Sequence, residues 1–312
     1  MRWILRKISW SRFVRLVPDG LTYLGVRSRH KPPSFVGSLS RSVRLRGIAV
    51  SQGLDFPVWK HDDKLAGRRF AEDLGLRVPE LYAVGSLEEC VAEARRRGSA
   101  VIKPLQRHST QGVVVLTSRG DAFYDHIRKK SVTSTALEDY VRKCQVGEGD
   151  TLMAEEIIFR PGSTHLPSIE WKMYCFAGEV GFMVQIDRVS DKRGRRRFQY
   201  RLRDFSAVKA PWVRHYHRVV RMSDPHFRDG LIGLAETCAI AAEVDFVRVD
   251  LYEDDRGPVF GELTPHPSAG YIHDNYLGRE LDRYFGDMLE RAEVRLAQTT
   301  LIKVMGVPSL ET

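Results

Sequence analysis

The stretch VRVDLYEDDRGPVFGELTPHPSAG, residues 247–270, places two acids on opposite arms of one predicted hairpin. Strand alternation sends Val247, Val249 and Leu251 to one face and Arg248, Asp250 and Tyr252 to the other. Beyond the turn at Arg256, Val259, Gly261 and Leu263 continue the apolar or small set, and Phe260, Glu262 and Thr264 share the opposite face. Closure of the hairpin makes Asp250 and Glu262 cross-strand neighbours. Two carboxylates that close repel each other unless a cation sits between them. Solvated surface acids are the ordinary reading of such a pair. The flanking Arg248 and the Pro/Ser/Gly loop that follows make a divalent-metal site the reading to pursue. His266 and Ser268 in that loop are the candidates for substrate contact.

The rest of the chain supplies what such a metal would serve. Lys64 opens a predicted helix capped by Asp62 or Asp63, with Leu65, Phe70 and Leu74 inward and Gly75 at its end. SLEECVAEARRRG reads as a second helix, capped at Ser86 and stopped at Gly98. AVIKP is then a strand that brings Lys103 to its end, beside the small polar loop HSTQG at 108–112, which holds Ser109 and Gly112. MAEEII at 153–158 offers a strand edge with Glu155, Glu156 and Ile158. IEWKMYCFAGEVGFMVQIDRV, 169–189, reads as two strands joined at AGEVG, carrying Lys172 and Arg188. Bound ATP needs this mixture: cations and N–H groups at its phosphates, a slot with backbone hydrogen bonds for the base, and acids that hold magnesium. Elsewhere, residues 121–150 read as mostly helical with a polar loop, and DKRGRRRFQYRLRD as a basic loop. DGLIGLAETCAIAAEV, 229–244, and GRELDRYFGDMLERAEVRLAQ read as helices. The order is α+β in two lobes, with antiparallel strands prominent in the second.

Taken in sequence, DK, GLRVPE, VIKP, MAEEII, VRVDLY and GEL resemble the landmarks of the ATP-grasp superfamily. EWKMYCFAG at 170–178, RVDLY at 248–252 and GELT at 261–264 resemble its TupA-like branch, the proteins of teichuronopeptide biosynthesis. The resemblance covers about residues 20–290 and implies an ATP-grasp fold, two α+β lobes clasping ATP. It implies that Lys64 and Lys103 contact the ATP phosphates, and that Glu155, Glu156 and Ile158 form the hinge facing adenine and ribose. Glu170 stands where the branch usually has Asp, on the cofactor side. Lys172 matches a phosphate-side or substrate-side cation. The stretch from Glu170 to Arg188 is also similar to one in the ribosomal-protein glutamate ligases, which implies that Lys172 and Arg188 contact the acyl phosphate or carboxylate. Asp250 and Glu262 match the magnesium carboxylates. Thr264 stands where many superfamily members have Asn, and offers the metal a hydroxyl in place of a carbonyl.

The implied activity is an ATP- and Mg2+-dependent carboxylate–amine ligase that works through an acyl phosphate, with Lys172, Arg188 and Arg248 steadying the oxyanion or carboxylate. The implied substrates are an amino acid and a uronate, glycan or peptide-like partner. A phosphotransferase acting on a sugar or small-molecule hydroxyl could use the same pocket and is the alternative. A non-catalytic basic binding module is a third reading.

Bulk properties bound the picture. The 312 residues allow two or three subdomains: a basic segment at 1–60, a small lobe at 61–152 and a second lobe with the metal site at 153–312. Residues 1–46 hold eleven Arg or Lys and one acid, so the positive charge belongs to this segment and not to the enzyme-like body. Within 1–17, Trp3, Ile4, Ile8, Trp10, Phe13, Val14 and Val17 can form an apolar stripe that packs on the body or touches an anionic membrane face. No apolar run of about 18 residues is present to span a bilayer, and the basic opening does not read as a signal peptide. Four scattered cysteines read as reduced thiols of a cytoplasmic protein, with peripheral contact at the inner membrane face through the first segment. KRGRRR at 192–197 is a solvated loop or a landing patch for an anionic acceptor. Nucleic acid ranks low, because no recognition motif accompanies the charge. His215 and His217 lack a third ligand, so zinc is not expected. Lys129 and Lys130 read as solvated charges.

Overall fold

The computed structural model describes residues 33–53, 62–107, 111–144, 149–189, 196–208, 218–267 and 278–305. Ser34 caps helix α1 (Phe35–Ser51) by accepting from Gly37 N–H. Asp63 caps α2 (Lys64–Asp73) by accepting from the N–H groups of Leu65 and Ala66. After strand β1 (Leu81–Gly85), Ser86 and Glu89 form a reciprocal capping box at the start of α3 (Leu87–Arg97). Gly98, at φ 73°, ends that helix in the left-handed region that glycine enters without strain. Strands β2 (Ser99–Pro104), β3 (Val114–Arg119), β4 (Ala122–Asp125) and β5 (Lys130–Thr133) follow, then α4 (Leu137–Lys143) and β6 (Leu152–Glu155). They form an antiparallel sheet in the order β1-β6-β2-β3-β4-β5. Leu87, Val91 and Ala94 of α3 pack with Leu137 and Val141 of α4 on Ile102, Leu116 and Leu152 of this sheet. The sheet takes in residues on both sides of the 152/153 boundary expected from the sequence.

The second sheet contains β7 (Glu170–Phe176), β8 (Glu179–Asp187), β9 (Arg197–Leu202), β10 (Arg218–Val219), β11 (Phe246–Asp254) and β12 (Gly257–Thr264), in the order β10-β9-β8-β7-β11-β12. One face carries Trp171, Met173, Cys175, Val247, Val249 and Leu251 and is covered by α5 (Arg228–Ala241) through Leu231, Ala235 and Cys238. The opposite face carries Tyr174, Phe176, Phe182 and Phe246. It is covered by Phe35 and Leu39 of α1 and by Leu281, Phe285 and Leu289 of α6 (Arg279–Met305). The candidate site side chains of β7 and β11 lie on this second face, next to the part covered by α1.

Three local expectations are corrected. Residues 121–150 are not mostly helical: β4 and β5 form a hairpin there. Asp125 organises its turn by accepting from Ile127 N–H at 2.8 Å, and Phe123 and Val132 alternate inward. Lys129 in that turn is not a solvated charge, because its ammonium donates to the Val189 carbonyl of the second lobe. The segment from Arg197 to Leu202 is a strand and not a loop. Phe198 and Tyr200 enter the core, while buried Arg201 donates to Gln185, Phe205 O, Asp224 and Met222 O on the other face.

Candidate active site

Strand alternation assembles the site. On β7, Glu170, Lys172, Tyr174 and Phe176 share a face; on β11, Phe246, Arg248, Asp250 and Tyr252 share it. The charged residues of these sets cluster at one end and the apolar ones at the other. Asp250 pairs with Lys172 across β11–β7 and with Glu262 across β11–β12, as the hairpin reading requires. The hairpin differs from strict alternation at one point. Leu251 pairs with Phe260, so Gly261 is an extra residue in the ladder, and Phe260 joins the core face instead of sharing Glu262's. A Cβ at Gly261 would stand 2.8 Å from Cε2 of Tyr252 and 2.9 Å from the Asp250 carbonyl, so only glycine leaves room for the tyrosine ring.

Opposite charges alternate along this face. Arg188 donates to Glu170 Oε2 through Nε at 2.8 Å and Nη2 at 2.5 Å. Lys172 Nζ bridges Glu170 Oε1, at 2.7 Å, and Asp250 Oδ2. Arg248 donates to Asp250 Oδ1 at 2.5 Å and Oδ2 at 2.7 Å, and to Thr264 Oγ1 at 2.9 Å. The Thr264 hydroxyl in turn donates to Glu262 Oε1 at 3.3 Å. Burial alone would raise the pKa of Glu170, but Arg188 and then Lys172 outweigh it and hold the carboxyl well below its ordinary range. Glu262 behaves likewise: burial opposes ionisation, and Arg248, Lys172, Lys64 and Lys103 overcome it. Burial would also strip Arg248 of its proton, but Asp250 beside it raises its pKa instead.

The first lobe supplies the facing cations. Lys103 at the end of β2 pairs with Glu155 Oε1 at 2.5 Å. Lys64 Nζ donates to the carbonyls of Leu105 at 2.8 Å and Arg107 at 2.7 Å. Its pKa is lowered by burial first, with Glu262 opposing and Lys103 adding to the shift, which sets all three in one electrostatic neighbourhood. Glu156 turns away from this cluster, accepting from Glu80 N–H at 3.1 Å and from Arg256 at 3.4 Å. Ile158 is buried and its carbonyl accepts from Ser168 N–H at 2.8 Å. Gly112 has φ 74°, a left-handed turn before β3. His266 is buried, with Nε2 at 2.7 Å from Ser42 Oγ on α1. Ser109, Ser268, His215, His217 and the stripe at 1–17 lie outside the described residues, as do residues 192–195 of the basic cluster. No helix among the described residues is long and apolar enough to cross a membrane.

Tyr252 belongs to this site and was not singled out from the sequence. Burial first, then the charges of Glu170 and Asp250, push its phenol pKa far up, with Arg188 opposing and Glu155 adding to the rise. The signal was present in the alternation that put Tyr252 on the face of Arg248 and Asp250.

Among the described residues no three His, Cys, Asp or Glu side chains gather around one metal position. Asp250 and Glu262 are register partners across β11–β12, while Glu170 is joined to Asp250 through the Lys172 ammonium. A two-carboxylate set fits magnesium, which takes one or two carboxylates from a protein and completes its shell with phosphate oxygens and water. Glu262 is held ionised at the edge of the set, as such a ligand must be.

The family described as TupA-like ATPgrasp matches residues 44–290, more than half of the chain. The chain belongs to this family. No curated protein matches. Among solved structures, D-alanine–D-alanine ligase from Bacillus anthracis is 16% identical with a TM-score of 0.49, over 82% of this chain and 77% of that one. The D-cycloserine synthetase DcsG is 15% identical with a TM-score of 0.45, over 83% and 78%. The ATP-grasp ligase PsnB, complexed with a minimal precursor, is 12% identical with a TM-score of 0.42, over 74% of this chain and 60% of its own. The TupA-like chain thus spans less than two thirds of PsnB.

Proposed function

We propose that this ATP-grasp enzyme is a carboxylate–amine ligase that forms an amide through an acyl phosphate. The observation that carries the reading is the row of alternating charges ending in ionised Glu262, which shares its electrostatic neighbourhood with Lys64 and Lys103. Lys64 and Lys103 would exchange their internal partners for the triphosphate and offset its charge. Asp250 and Glu262 would hold magnesium, which would supply positive charge against the triphosphate. A substrate carboxylate oxygen attacks the γ-phosphorus, the bond to the β-phosphate oxygen breaks, and ADP leaves. Lys172, Arg188 and Arg248 steady the carboxylate and then the tetrahedral oxyanion formed as an amine attacks the acyl carbon. Phosphate departs, the amine loses a proton, and an amide remains. The half-buried ring of Tyr252, beside Glu155 and Glu170, suits one wall of the nucleotide slot. The four cysteines are buried free thiols, which suits a reducing cytoplasm. The acceptor class we favour is a uronate, glycan or peptide-like acid, to which an amino acid is joined through its amine.

The test is product mass after incubation with ATP, Mg2+, amino acids and uronates. An amide mass with ADP and phosphate, formed only when acid and amine are both present, supports ligation. A stable phosphorylated product that accumulates without amine, unlike a labile acyl phosphate, contradicts it and supports a phosphotransferase. Glu262→Gln is expected to cut turnover at least 10²-fold, in line with loss of a charge-stabilising group at a reaction centre, while circular dichroism stays native.

A further inference from the structure

The family match begins at residue 44, whereas α1 begins at Phe35, and residues 33–43 ahead of the match are built into the second lobe. Phe35 is fully buried, its ring centroid 5.6 Å from that of Phe176, 4.9 Å from Phe246 and 5.7 Å from Phe285. Ser34 Oγ donates to Asp282 Oδ2 at 2.8 Å, and Val36 N–H donates to Oδ1 at 2.9 Å. Gly286 lies so close that a Cβ there would stand 2.6 Å from the Pro33 carbonyl carbon. The N-terminal end of α1 is therefore anchored.

Along α1 the inward stripe changes character. Phe35 and Leu39 are apolar and buried; Ser42 and Arg46, the next positions at helical spacing, are polar. The sheet face nearby changes in the same sense, from Phe246 and Phe176 to Arg248 and Asp250. Ser42 Oγ meets His266 Nε2 at 2.7 Å, two residues beyond Thr264, whose hydroxyl accepts from Arg248. Arg46 Nη1 lies 3.7 Å from Asp62 Oδ2, two residues before Lys64. One helix thus touches the chain immediately beside site groups of both lobes.

We propose that α1 is the end wall of the acceptor side of the site, and that Ser42 is a positioning residue. Its bond to His266 fixes residues 265–267 and through them Thr264 and Arg248, against which the carboxylate of the acceptor acid is set. This rests on the ligase reading.

Full-length wild type, Ser42→Ala and Ser42→Thr are compared in two assays. Calorimetry reads binding of Mg2+ with the non-hydrolysable ATP analogue AMPPNP. ADP release is then followed against rising concentrations of an equimolar mixture of the twenty amino acids with glucuronate and galacturonate. Ser42→Ala is expected to bind nucleotide within about twofold of wild type and to need about fivefold more mixture for half-saturation, the factor for one lost hydrogen bond. Ser42→Thr keeps the hydroxyl and restores half-saturation. An alanine variant with wild-type half-saturation, or one whose loss appears equally in nucleotide binding, overturns the inference. A wild type that binds nucleotide but releases no ADP with the mixture overturns the acceptor class and this inference with it. A wild type that binds no nucleotide overturns the ligase reading itself.

Discussion

Replacing Glu170 with Gln tests whether the row of charges holds the site together. Glu170 is 8% exposed and accepts three charge-assisted bonds, one from Lys172 and two from Arg188. Glutamine keeps one acceptor oxygen but turns an amide NH2 toward a cation. Breaking a buried ion pair costs about 3–5 kcal/mol, and Lys172 retains Asp250 as a partner. The expected loss is therefore at the lower end, about 3 kcal/mol at pH 7. Urea unfolding followed by tryptophan fluorescence measures it. The pH dependence is a second, independent signature. The folded-state pKa of Glu170 lies below its ordinary value of 4.5, so its stabilisation is complete above that value and is lost as pH falls toward the folded pKa. The gap between wild type and Glu170→Gln should stay constant from neutral pH down to about 5 and narrow on further acidification. A gap below about 0.5 kcal/mol at pH 7, within the range of ordinary surface substitutions, or one that does not narrow in acid, would mean that the Glu170 ion pairs do not hold this face together.

Gly261→Ala forces a Cβ to within 2.8 Å of the Tyr252 ring and 2.9 Å of the Asp250 carbonyl, a backbone atom that cannot swing aside. It should cost about 1–3 kcal/mol in urea unfolding and weaken AMPPNP binding more than Gly233→Ala, whose Cβ would meet nothing within 4 Å. Burial raises the thiol of Cys90 to about 11 and that of Cys238 to about 12, so a disulfide reagent at pH 8 should modify native protein only at the rate of unfolding.

Much of the site was legible because strand alternation is a strict period of two. It put Arg248, Asp250 and Tyr252 on one face, and the hairpin closed with Asp250 opposite Glu262. Helix punctuation was equally plain, as the capping box at Ser86 and Glu89 and the left-handed Gly98 attest. What escaped were features set by tertiary contact. The bulge at Gly261 arises because Phe260 gains more by entering the core with Leu251 than alternation allows. The hairpin at 122–133 hid behind its many charged residues, and its turn depends on buried Asp125. Arg201 read as part of a basic loop because no local signal reveals that Gln185, Asp224 and three carbonyls surround its guanidinium. Ser42 carried no motif at all; only the packing of α1 brings it to His266.

In the proposed reaction, Asp250 and Glu262 hold the divalent ion that presents ATP to its acceptor. Crystals grown with AMPPNP and Mn2+ test it directly through anomalous scattering. A manganese peak is expected within direct coordination distance of an oxygen of each carboxylate, with phosphate oxygens completing the shell and Lys172 drawn off Asp250. Bound nucleotide with no peak between these two residues, or with either carboxylate turned away, would contradict it.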